Sequence, residues 1–472
     1  MRDAPPLPLR PVYRTGRRFG LGWLRDTIDE AARSSPARLA VSVFFAVVLL
    51  FTGLLSLPMA TESGERAPFV DALFTATSAV CVTGLSTVDV ASFWSPFGET
   101  VILVGMQVGG LGVLTLASLL GLAVSRRLGL RQRLIAASET KALRLGEVGS
   151  LLRLIVIVSF TVELFVALAL FPRFLVLGES LGGAAWHSVF YAVSAFNNVG
   201  FAAHPGGLPP ETVSDPWLCV PLMLGVFAGS LGFPVLLMIK RRWRRPSTWD
   251  LHSKLTLATT LILLAGTIVV FTLLEWDNPK TVGGLRGFGT KVLAVLFASV
   301  MPRSGGMSTL DVSQMTESTW LMTDALMFVG GGSASTAGGI RVTTLAVIVL
   351  AAVAEARGDQ DVEATGRRIP AASLRLAVTV AMAGATLVGV ATLVLLRITG
   401  LSLDVMLFEV ISAFATCGLS TGITADLPDA AKYVLAAVMF LGRTGTMTLA
   451  GALALRERTK MFRLPEERPI VG

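Results

Sequence analysis

The feature that most constrains this chain is a series of apolar stretches, each long enough to cross a lipid bilayer. About 20 apolar residues in a helix cover the roughly 30 Å of a hydrocarbon core. Of the 472 residues, 53% are hydrophobic and only 15% are charged. Eight such stretches recur from end to end: residues 39–58, 100–123, 154–171, 217–239, 255–274, 320–352, 376–396 and 433–455. The sequence therefore predicts an all-α polytopic membrane protein surrounded by the lipid bilayer.

Lysine and arginine collect in alternate connections between the predicted spans. The basic segments are residues 10–38, 126–144, 240–245, 357–368 and 456–468. Because cytoplasmic loops carry the excess of positive charge, these segments and both termini are predicted to face the cytoplasm, in a multi-pass protein of the plasma (cytoplasmic) membrane. The net charge of +8 is then a topology signal and an attraction to anionic lipid, so no nucleic-acid partner is predicted.

The outward connections repeat a second motif, a shorter apolar stretch that ends in glycine. Its four copies, which we call the glycine loops, are residues 78–85 (SAVCVTGL), 194–201 (SAFNNVGF), 300–307 (VMPRSGGM) and 412–419 (SAFATCGL). Their shared glycines recur about every 110 residues, and such a period indicates an internal repeat. Ser-Ala opens three copies, whereas the third opens with Val300-Met301 and departs most.

A half-helix precedes each glycine loop, at residues 71–80, 185–196, 291–300 and 404–414. About ten residues give roughly 15 Å of helix, too little to cross the membrane. We therefore predict four pseudo-symmetric helix–pore loop–helix repeats around a central pore. The predicted boundaries are 1–38 (cytoplasmic N-terminal segment), 39–124 (repeat 1), 125–150 (cytoplasmic loop), 151–245 (repeat 2), 246–356 (repeat 3), 357–373 (cytoplasmic loop), 374–456 (repeat 4) and 457–472 (cytoplasmic tail).

Non-helical backbone at membrane depth needs a purpose, since each unpaired N–H or C=O group costs on the order of several kcal/mol. If the glycine loops converge on one axis, their carbonyl oxygens can replace the hydration shell of a cation, while the negative C-terminal ends of the half-helices point at it. Glycine suits such a loop because it adopts positive φ without strain. Ordinary turn glycines are the alternative for any one copy, but four copies in register favour a cation pathway.

The glycine loops resemble the four degenerate selectivity-filter loops of the Trk/Ktr/HKT superfamily of potassium transporters. The likeness covers residues 39–455, and the absence of two further N-terminal spans makes the chain look closer to the KtrB-type membrane subunits than to the longer TrkH members. The resemblance implies a potassium site formed by Val82, Thr83, Gly84, Asn198, Val199, Gly200, Ser304, Gly305, Gly306, Thr416, Cys417 and Gly418. Gly84 at the first filter position favours potassium over sodium, whereas Met307 and the Gly305-Gly306 pair depart from the family pattern.

The sixth apolar stretch is interrupted by a run of small residues, which we call the intramembrane loop. It consists of Gly330, Gly331, Gly332, Ser333, Ala334, Ser335, Thr336, Ala337, Gly338 and Gly339. Each glycine destabilises a helix by about 0.8–1 kcal/mol relative to alanine, so the helix is predicted to break here. The resemblance implies a gating loop under the filter, within residues 329–341. Close helix packing of small residues is the alternative.

Arg443 stands in the last predicted span, after more than ten mostly apolar residues. Inserting an arginine at this depth costs about 2.5–3.5 kcal/mol, so the side chain is expected to face a cavity or a partner. The resemblance implies a position in the pore path, where Arg443 would be an electrostatic barrier to cations that is released when the gating loop moves. The alternative is a structural pair with a carboxylate such as Glu163.

These features together predict potassium uptake through a channel-like pore. The alternative is a secondary cation carrier with sodium- or proton-coupled flux, which would also use repeats and broken helices. Four repeats in the same orientation favour the channel-like pore over the inverted repeats of a carrier. An enzyme is not predicted, because beyond Glu163 and Asp324 the spans lack convergent catalytic groups.

The resemblance also implies partners: a homodimer that stands on a cytosolic ring of nucleotide-binding regulatory subunits of KtrA/TrkA type. The basic cytoplasmic loops and residues 456–472 are the expected docking segments. No covalently bound cofactor is predicted, and the expected ions in the pore are potassium and, as the second candidate, sodium.

The few cysteines and histidines show no metal-ligand spacing, so neither a zinc nor a redox site is predicted. They are Cys81, Cys219, Cys417, His187, His204 and His252. Asp89 and Asp311 each follow a filter glycine by five residues. They are predicted either to concentrate cations at the outer mouth or to cap helices.

Overall fold

The computed structural model describes residues 36–112 and 148–454, and within these ranges the chain is mostly helical. Its α-helices are α1 (Pro36–Leu55), α2 (Phe69–Cys81), α3 (Val90–Phe93), α4 (Pro96–Gly110), α5 (Val148–Val176), α6 (Leu181–Phe196), α7 (Pro216–Leu231), α8 (Phe233–Arg242), α9 (Leu251–Glu275), α10 (Phe288–Val300), α11 (Glu317–Val329), α12 (Val342–Arg357), α13 (Ala371–Thr399), α14 (Leu403–Phe414) and α15 (Asp429–Ala454). The antiparallel strands β1 (Glu363–Ala364) and β2 (Arg367–Arg368) form a small hairpin between α12 and α13. The N-terminal segment to residue 35, most of the predicted 125–150 loop and the tail from residue 455 lie outside the described residues.

Four short helices end at the glycine loops, and we call them the pore helices: α2, α6, α10 and α14. Their last residues are Cys81, Phe196, Val300 and Phe414, within one residue of the ends expected from the repeat. Each stands between two other helices of its own repeat, as the helix–pore loop–helix pattern predicts. The fold class predicted from the sequence is confirmed.

Contacts between helices close the four repeats into a ring. Each pore helix packs against helices of its own repeat, such as α2 against α1 and α4, and α6 against α5 and α7. Each also contacts the second span of the preceding repeat, in the pairs α4 with α6, α7 with α10, α11 with α14, and α15 with α2. The last pair joins repeat 4 back to repeat 1, so the pore helices surround one centre.

Three described helices are long and apolar enough to cross a membrane by themselves, within Ile155–Val176, Leu251–Glu275 and Ala371–Thr399. The bent pair α7 and α8 raises this number to four. The other predicted spans correspond to α1, to α4 for the described part of the second span, to α15, and to α11 and α12 as the two halves of the sixth. Residues 113–123 of the second predicted span lie outside the described residues. Large apolar side chains stay exposed on the outside of these helices, for example Leu168, Leu273 and Leu393, as a lipid-facing surface requires.

The fourth predicted span, residues 217–239, is not one continuous helix. It bends by 101° between α7 and α8, and Gly232 at the bend has φ 93°. A Cβ at Gly232 would lie 2.6 Å from the Ser333 carbonyl oxygen, and the Phe233 amide donates to the Ala334 carbonyl at 3.1 Å. The break therefore makes room for the intramembrane loop, a long-range contact that local hydropathy does not predict.

Candidate ion pathway

The four glycine loops share one backbone conformation. The glycines Gly84, Gly200, Gly306 and Gly418 have φ between 66° and 98°. Two residues before each glycine, a residue with a side chain also has positive φ: Val82 (61°), Asn198 (59°), Ser304 (74°) and Thr416 (46°). Such values are uncommon outside glycine and are strained. The same strained pattern in four repeats indicates a shared geometric demand on these loops.

The glycine loops meet one another around a single axis. A Cβ added to Gly84 would overlap the Val199 carbonyl oxygen, and one added to Gly200 would lie 2.6 Å from the Gly306 Cα. One added to Gly306 would overlap the Cys417 carbonyl, and one added to Gly418 the Thr83 carbonyl. Each loop thus touches the next, and the fourth touches the first. The carbonyl oxygen of the residue before each glycine lies against the glycine of a neighbouring loop, so four backbone oxygens gather where the loops meet; converging carbonyl oxygens of this kind can replace water around a cation.

Serine side chains hold three of the glycine loops against their pore helices. The hydroxyls of Ser78, Ser194 and Ser412 accept hydrogen bonds from the amides of Gly84, Gly200 and Gly418, at 3.0, 3.2 and 3.1 Å. These serines open the Ser-Ala motif of the sequence repeat, so the match has a structural reason. In the third repeat Val300 occupies this position and has no hydroxyl to offer the Gly306 amide.

Solvent reaches the glycine loops from the side that we call the outer face, following the orientation predicted from the basic segments. The four filter-position glycines are partly exposed, whereas the residue before each is buried. A cavity of about 470 Å³ lies over Gly200 and Gly306, and Asp311 is among its lining residues.

Asp89 and Asp311 act as helix caps in the structure. Asp89 accepts hydrogen bonds from the Ala91 and Ser92 amides at the start of α3, and also from Gly206. Asp311 accepts from the Ser313 amide at 2.9 Å. Asp311 therefore caps a helix and also lines the outer cavity. The two roles considered for it, capping a helix and concentrating cations at the outer mouth, are compatible.

The intramembrane loop lies directly beneath the glycine loops. α11 ends at Val329 and α12 begins at Val342, and the segment between them is not helical. The Thr336 hydroxyl donates to the Phe196 carbonyl at 3.1 Å and lies 3.1 Å from the Asn198 side chain. A Cβ at Gly338 would overlap the Ala415 carbonyl and the Thr416 hydroxyl. The loop therefore contacts the inner side of the second and fourth glycine loops.

Ser304 joins the third glycine loop to the fourth glycine loop and to the intramembrane loop. Its hydroxyl donates to the Thr416 carbonyl of the fourth glycine loop at 2.7 Å and accepts from the Gly338 amide of the intramembrane loop at 3.1 Å. The hydroxyl is buried. One side chain thus connects two glycine loops and the segment below them, a link that sequence alignment alone does not reveal.

Two buried arginines donate hydrogen bonds to the carbonyls of the intramembrane loop. Arg443 donates to Thr336 at 2.6 Å and to Gly109 on α4 at 3.1 Å. Arg341 donates to Gly332 at 3.1 Å and to Ala337 at 2.5 Å. Arg341 was not singled out from the sequence, although its place directly after a glycine-rich run was an available signal.

Glu163, considered from the sequence as a pairing group for Arg443, accepts a hydrogen bond from the Asn197 side chain at 3.1 Å. Asn197 is the first residue after pore helix α6 and also donates to Gln107 on α4 at 3.0 Å. The carboxyl group therefore supports the end of a pore helix. Arg443 contacts the intramembrane loop, which is the element named with it in the gating hypothesis.

Two histidines and a glutamate meet on the outer face beside α6, contrary to the expectation from spacing. His187 and His204 both contact the carboxylate of Glu179, at 2.6 and 3.0 Å. Burial, followed by the charge of the neighbouring His187, lowers the pKa of His204 below its ordinary value. The three residues are brought together by the glycine loop that folds back between them, so sequence spacing could not show the cluster.

Comparison with known proteins places this arrangement in a family. Residues 21–463 match TrkH, described as a cation transport protein. The chain belongs to the TrkH family. This family consists of membrane ion transporters rather than enzymes, and the four-repeat fold is its fold. The superfamily resemblance read from the glycine loops is thereby confirmed.

Individual relatives match this chain over nearly its whole length. It is 34% identical to the Ktr system potassium uptake protein B of Bacillus subtilis (strain 168), over 95% of this chain and 99% of the relative. It is also 34% identical to the potassium/sodium uptake protein NtpJ of Enterococcus hirae, over 93% of this chain and 97% of that one. The solved potassium transporter TrkH from Vibrio parahaemolyticus has the same fold, with a TM-score of 0.66 at 16% identity, covering 88% of this chain and 85% of the other.

Proposed function

We propose that this chain is the membrane subunit of a potassium uptake system, and that potassium crosses the membrane between the four glycine loops. The observation that carries this proposal is the closed ring in which Gly84, Gly200, Gly306 and Gly418 each touch the next loop. The ring offers inward carbonyl oxygens at the C-terminal ends of four pore helices, where the helix dipoles favour a cation. Relatives over nearly the full length are named for potassium uptake.

In this proposal the ion site consists of the three residues that end at each filter glycine. Thr83, Val199, Gly305 and Cys417 supply carbonyl groups next to the axis. Because only the filter glycine is common to all four loops and the other residues differ, the ring is less strictly defined than four identical loops would be. Sodium is therefore the second candidate ion, which the name of the Enterococcus relative also supports.

We further propose that the intramembrane loop is the gate of this pathway. It lies under the second and fourth glycine loops, and the buried guanidinium of Arg443 holds its Thr336 carbonyl. A positive charge at this place opposes cation passage. Displacing the loop would break the Arg443 contact and remove this barrier from the path.

The test is growth of a potassium-uptake-deficient bacterial strain that expresses this chain, at low potassium, with and without sodium. Potassium uptake predicts rescue at low potassium. Failure of rescue despite confirmed membrane insertion would contradict the proposal. Rescue that strictly requires sodium or an imposed proton gradient would instead support the carrier alternative, in which flux is coupled to a second ion.

Regulation is proposed from the family resemblance: a homodimer on a cytosolic ring of nucleotide-binding subunits. The exposed basic segment Lys240, Arg241, Arg242, Arg244 and Arg245 lies at the end of α8 and directly after it, and forms a positively charged patch around Trp243. The test is to express the chain with such a ring and to delete residues 456–472. Loss of nucleotide-dependent uptake is expected, and an unchanged nucleotide response would contradict docking at this tail.

A further inference from the structure

A cluster of metal-ligand side chains lies on the outer face, beside the ion pathway and separate from it. Glu179 precedes pore helix α6, His187 lies on its second turn, and His204 follows the second glycine loop. One ligand atom from each lies within 4.8 Å of the other two. The Nδ1 atom of His187 is 2.6 Å from Glu179 Oε2, and Nε2 of His204 is 3.0 Å from Glu179 Oε1.

These three donors match a known preference in metal chemistry. Two imidazoles and one carboxylate are a common zinc-ligand set, with bonds of about 2.0–2.2 Å and the fourth position open to water. Ligands on one such ion lie about 3.3 Å apart, so the present distances need only small side-chain movements to receive it. The side chains of His187, Glu179 and His204 are 22%, 19% and 20% exposed, which leaves a route for an ion and for water.

The surroundings fix the orientation of one ligand. The Tyr191 hydroxyl lies 2.8 Å from Nδ1 of His204, so Nε2 is the nitrogen directed at Glu179. Phe174 stacks on the His204 ring, with centroids 5.7 Å apart and planes inclined by 23°. Hydrogen bonding at the second nitrogen is how metal-binding histidines are usually held. The same contacts also suit a metal-free hydrogen-bonded cluster, which is the alternative to be tested.

We propose that Glu179, His187 and His204 bind a divalent transition-metal ion of the zinc type on the outer face of the transporter. The ion would join pore helix α6 to the segment that leaves the second glycine loop. That segment continues to Gly206, whose amide is bonded to Asp89 of the first repeat at 2.6 Å. Bound metal at His204 and the hydrogen bond at Gly206 would therefore restrain the same segment, which lines the outer cavity.

The experiment is isothermal titration calorimetry, in which zinc chloride is added to the detergent-solubilised, untagged protein after chelator treatment. Thermal unfolding is measured in parallel. We expect one zinc ion per chain at this cluster and a higher Tm with zinc. The double variant Glu179→Gln, His204→Asn should lose this binding and the zinc-dependent Tm shift. The control His252→Asn, at the start of α9, should keep both.

The variant Tyr191→Phe tests the orientation of the His204 ring while keeping all three proposed metal ligands. Losing an outer partner of a metal-bound histidine typically weakens binding about 10–100-fold, so this variant should bind zinc more weakly and with unchanged stoichiometry. X-ray absorption of the zinc-loaded native protein should show imidazole and carboxylate ligands, a readout that needs no variant to fold. Absence of zinc binding in the native protein, or equal affinity in the double variant, would overturn the proposal. These measurements involve no ion flux and are independent of potassium uptake.

Discussion

At the scale of single residues, the filter-position glycines are required by both conformation and space. Gly418 has φ 97°, and a side chain there would overlap the Thr83 carbonyl of the first glycine loop. A residue with a side chain pays about 1–2 kcal/mol for such a backbone, and the overlap adds a displacement of the oxygen that faces the axis. Both effects act where an ion would lose its water.

Gly418→Ala should therefore abolish most potassium uptake while the protein still inserts. The matched control is Gly422→Ala, because Gly422 has nearly the same φ, 94°, but nothing within 4 Å of an added Cβ. Rubidium uptake into vesicles measures the difference. Both variants carry the backbone strain, so equal uptake by the two would contradict a special role of space at Gly418.

Ser304 is the second residue whose contacts predict an effect. Ser304→Ala leaves the Gly338 amide and the Thr416 carbonyl without its hydroxyl, and each unsatisfied buried group costs about 1–3 kcal/mol. We expect a lower Tm and a changed ratio of potassium to sodium flux. Ser308→Ala is the control, since within the described residues the Ser308 hydroxyl bonds to its own segment, donating to the Leu310 carbonyl at 2.6 Å and accepting from the Leu310 amide at 3.2 Å. Identical selectivity in both variants would argue against coupling through Ser304.

At the scale of elements, the intramembrane loop is held from two sides by arginine. Arg443 reaches it from α15, and Arg341 holds it from the start of α12. A hydrogen bond from a charged group contributes about 1.5–3 kcal/mol, so each arginine can shift the balance between two positions of the loop. The loop is therefore a segment whose position is set by a few strong contacts.

Arg443→Ala is expected to raise basal potassium flux about tenfold, because it removes both the barrier charge and a tether worth at least about 1.4 kcal/mol. Flux is measured in proteoliposomes without regulatory subunits, with Arg375→Ala on the exposed face of α13 as the control. Unchanged flux and voltage dependence in a folded Arg443→Ala protein would favour a purely structural arginine.

The elements differ in how well the sequence predicts them. The ends of the pore helices followed from the repeat to within one residue, since each pore helix ends three to six residues before its filter glycine. The 101° bend at Gly232 did not, because residues 217–239 are apolar throughout. What bends the helix is Ser333 and Ala334 from another repeat, and hydropathy within one span carries no information about such a contact.

At the scale of the whole molecule, the ring is closed by a contact between the first and last repeats. Lys432 at the start of α15 lies 3.3 Å from Asp71 of pore helix α2, and both residues are buried. Thr87 donates to the same carboxylate at 2.7 Å. The pair therefore links repeat 4 to pore helix α2, and Asp71 also holds Thr87 of the segment that follows the first glycine loop.

Lys432→Met should destabilise the protein by about 3–5 kcal/mol, because it leaves the Asp71 charge buried without its partner. Adding Asp71→Asn should recover much of this loss, since the unpaired charge is then absent. Thermal unfolding in detergent measures both variants. A double variant no more stable than Lys432→Met would show that the pair does not act as a unit.

Of the long-range features of the molecule, the sequence predicted the ring of glycine loops but not the cluster beside α6. The ring of glycine loops could be predicted because one motif recurs four times, and each copy supports the interpretation of the others. The cluster of Glu179, His187 and His204 could not, because its members are 8 and 17 residues apart in a segment that reverses at the glycine loop. A site made by a single repeat has no second copy to reveal it.

Potassium uptake by this chain, as proposed, requires one cation pathway between the four glycine loops. The most direct measurement is anomalous X-ray diffraction from crystals of this protein grown in rubidium, an analogue of potassium. We expect an anomalous peak on the axis bounded by Gly84, Gly200, Gly306 and Gly418. Rubidium bound only elsewhere in the protein, with that axis closed by side chains, would contradict the proposed pathway.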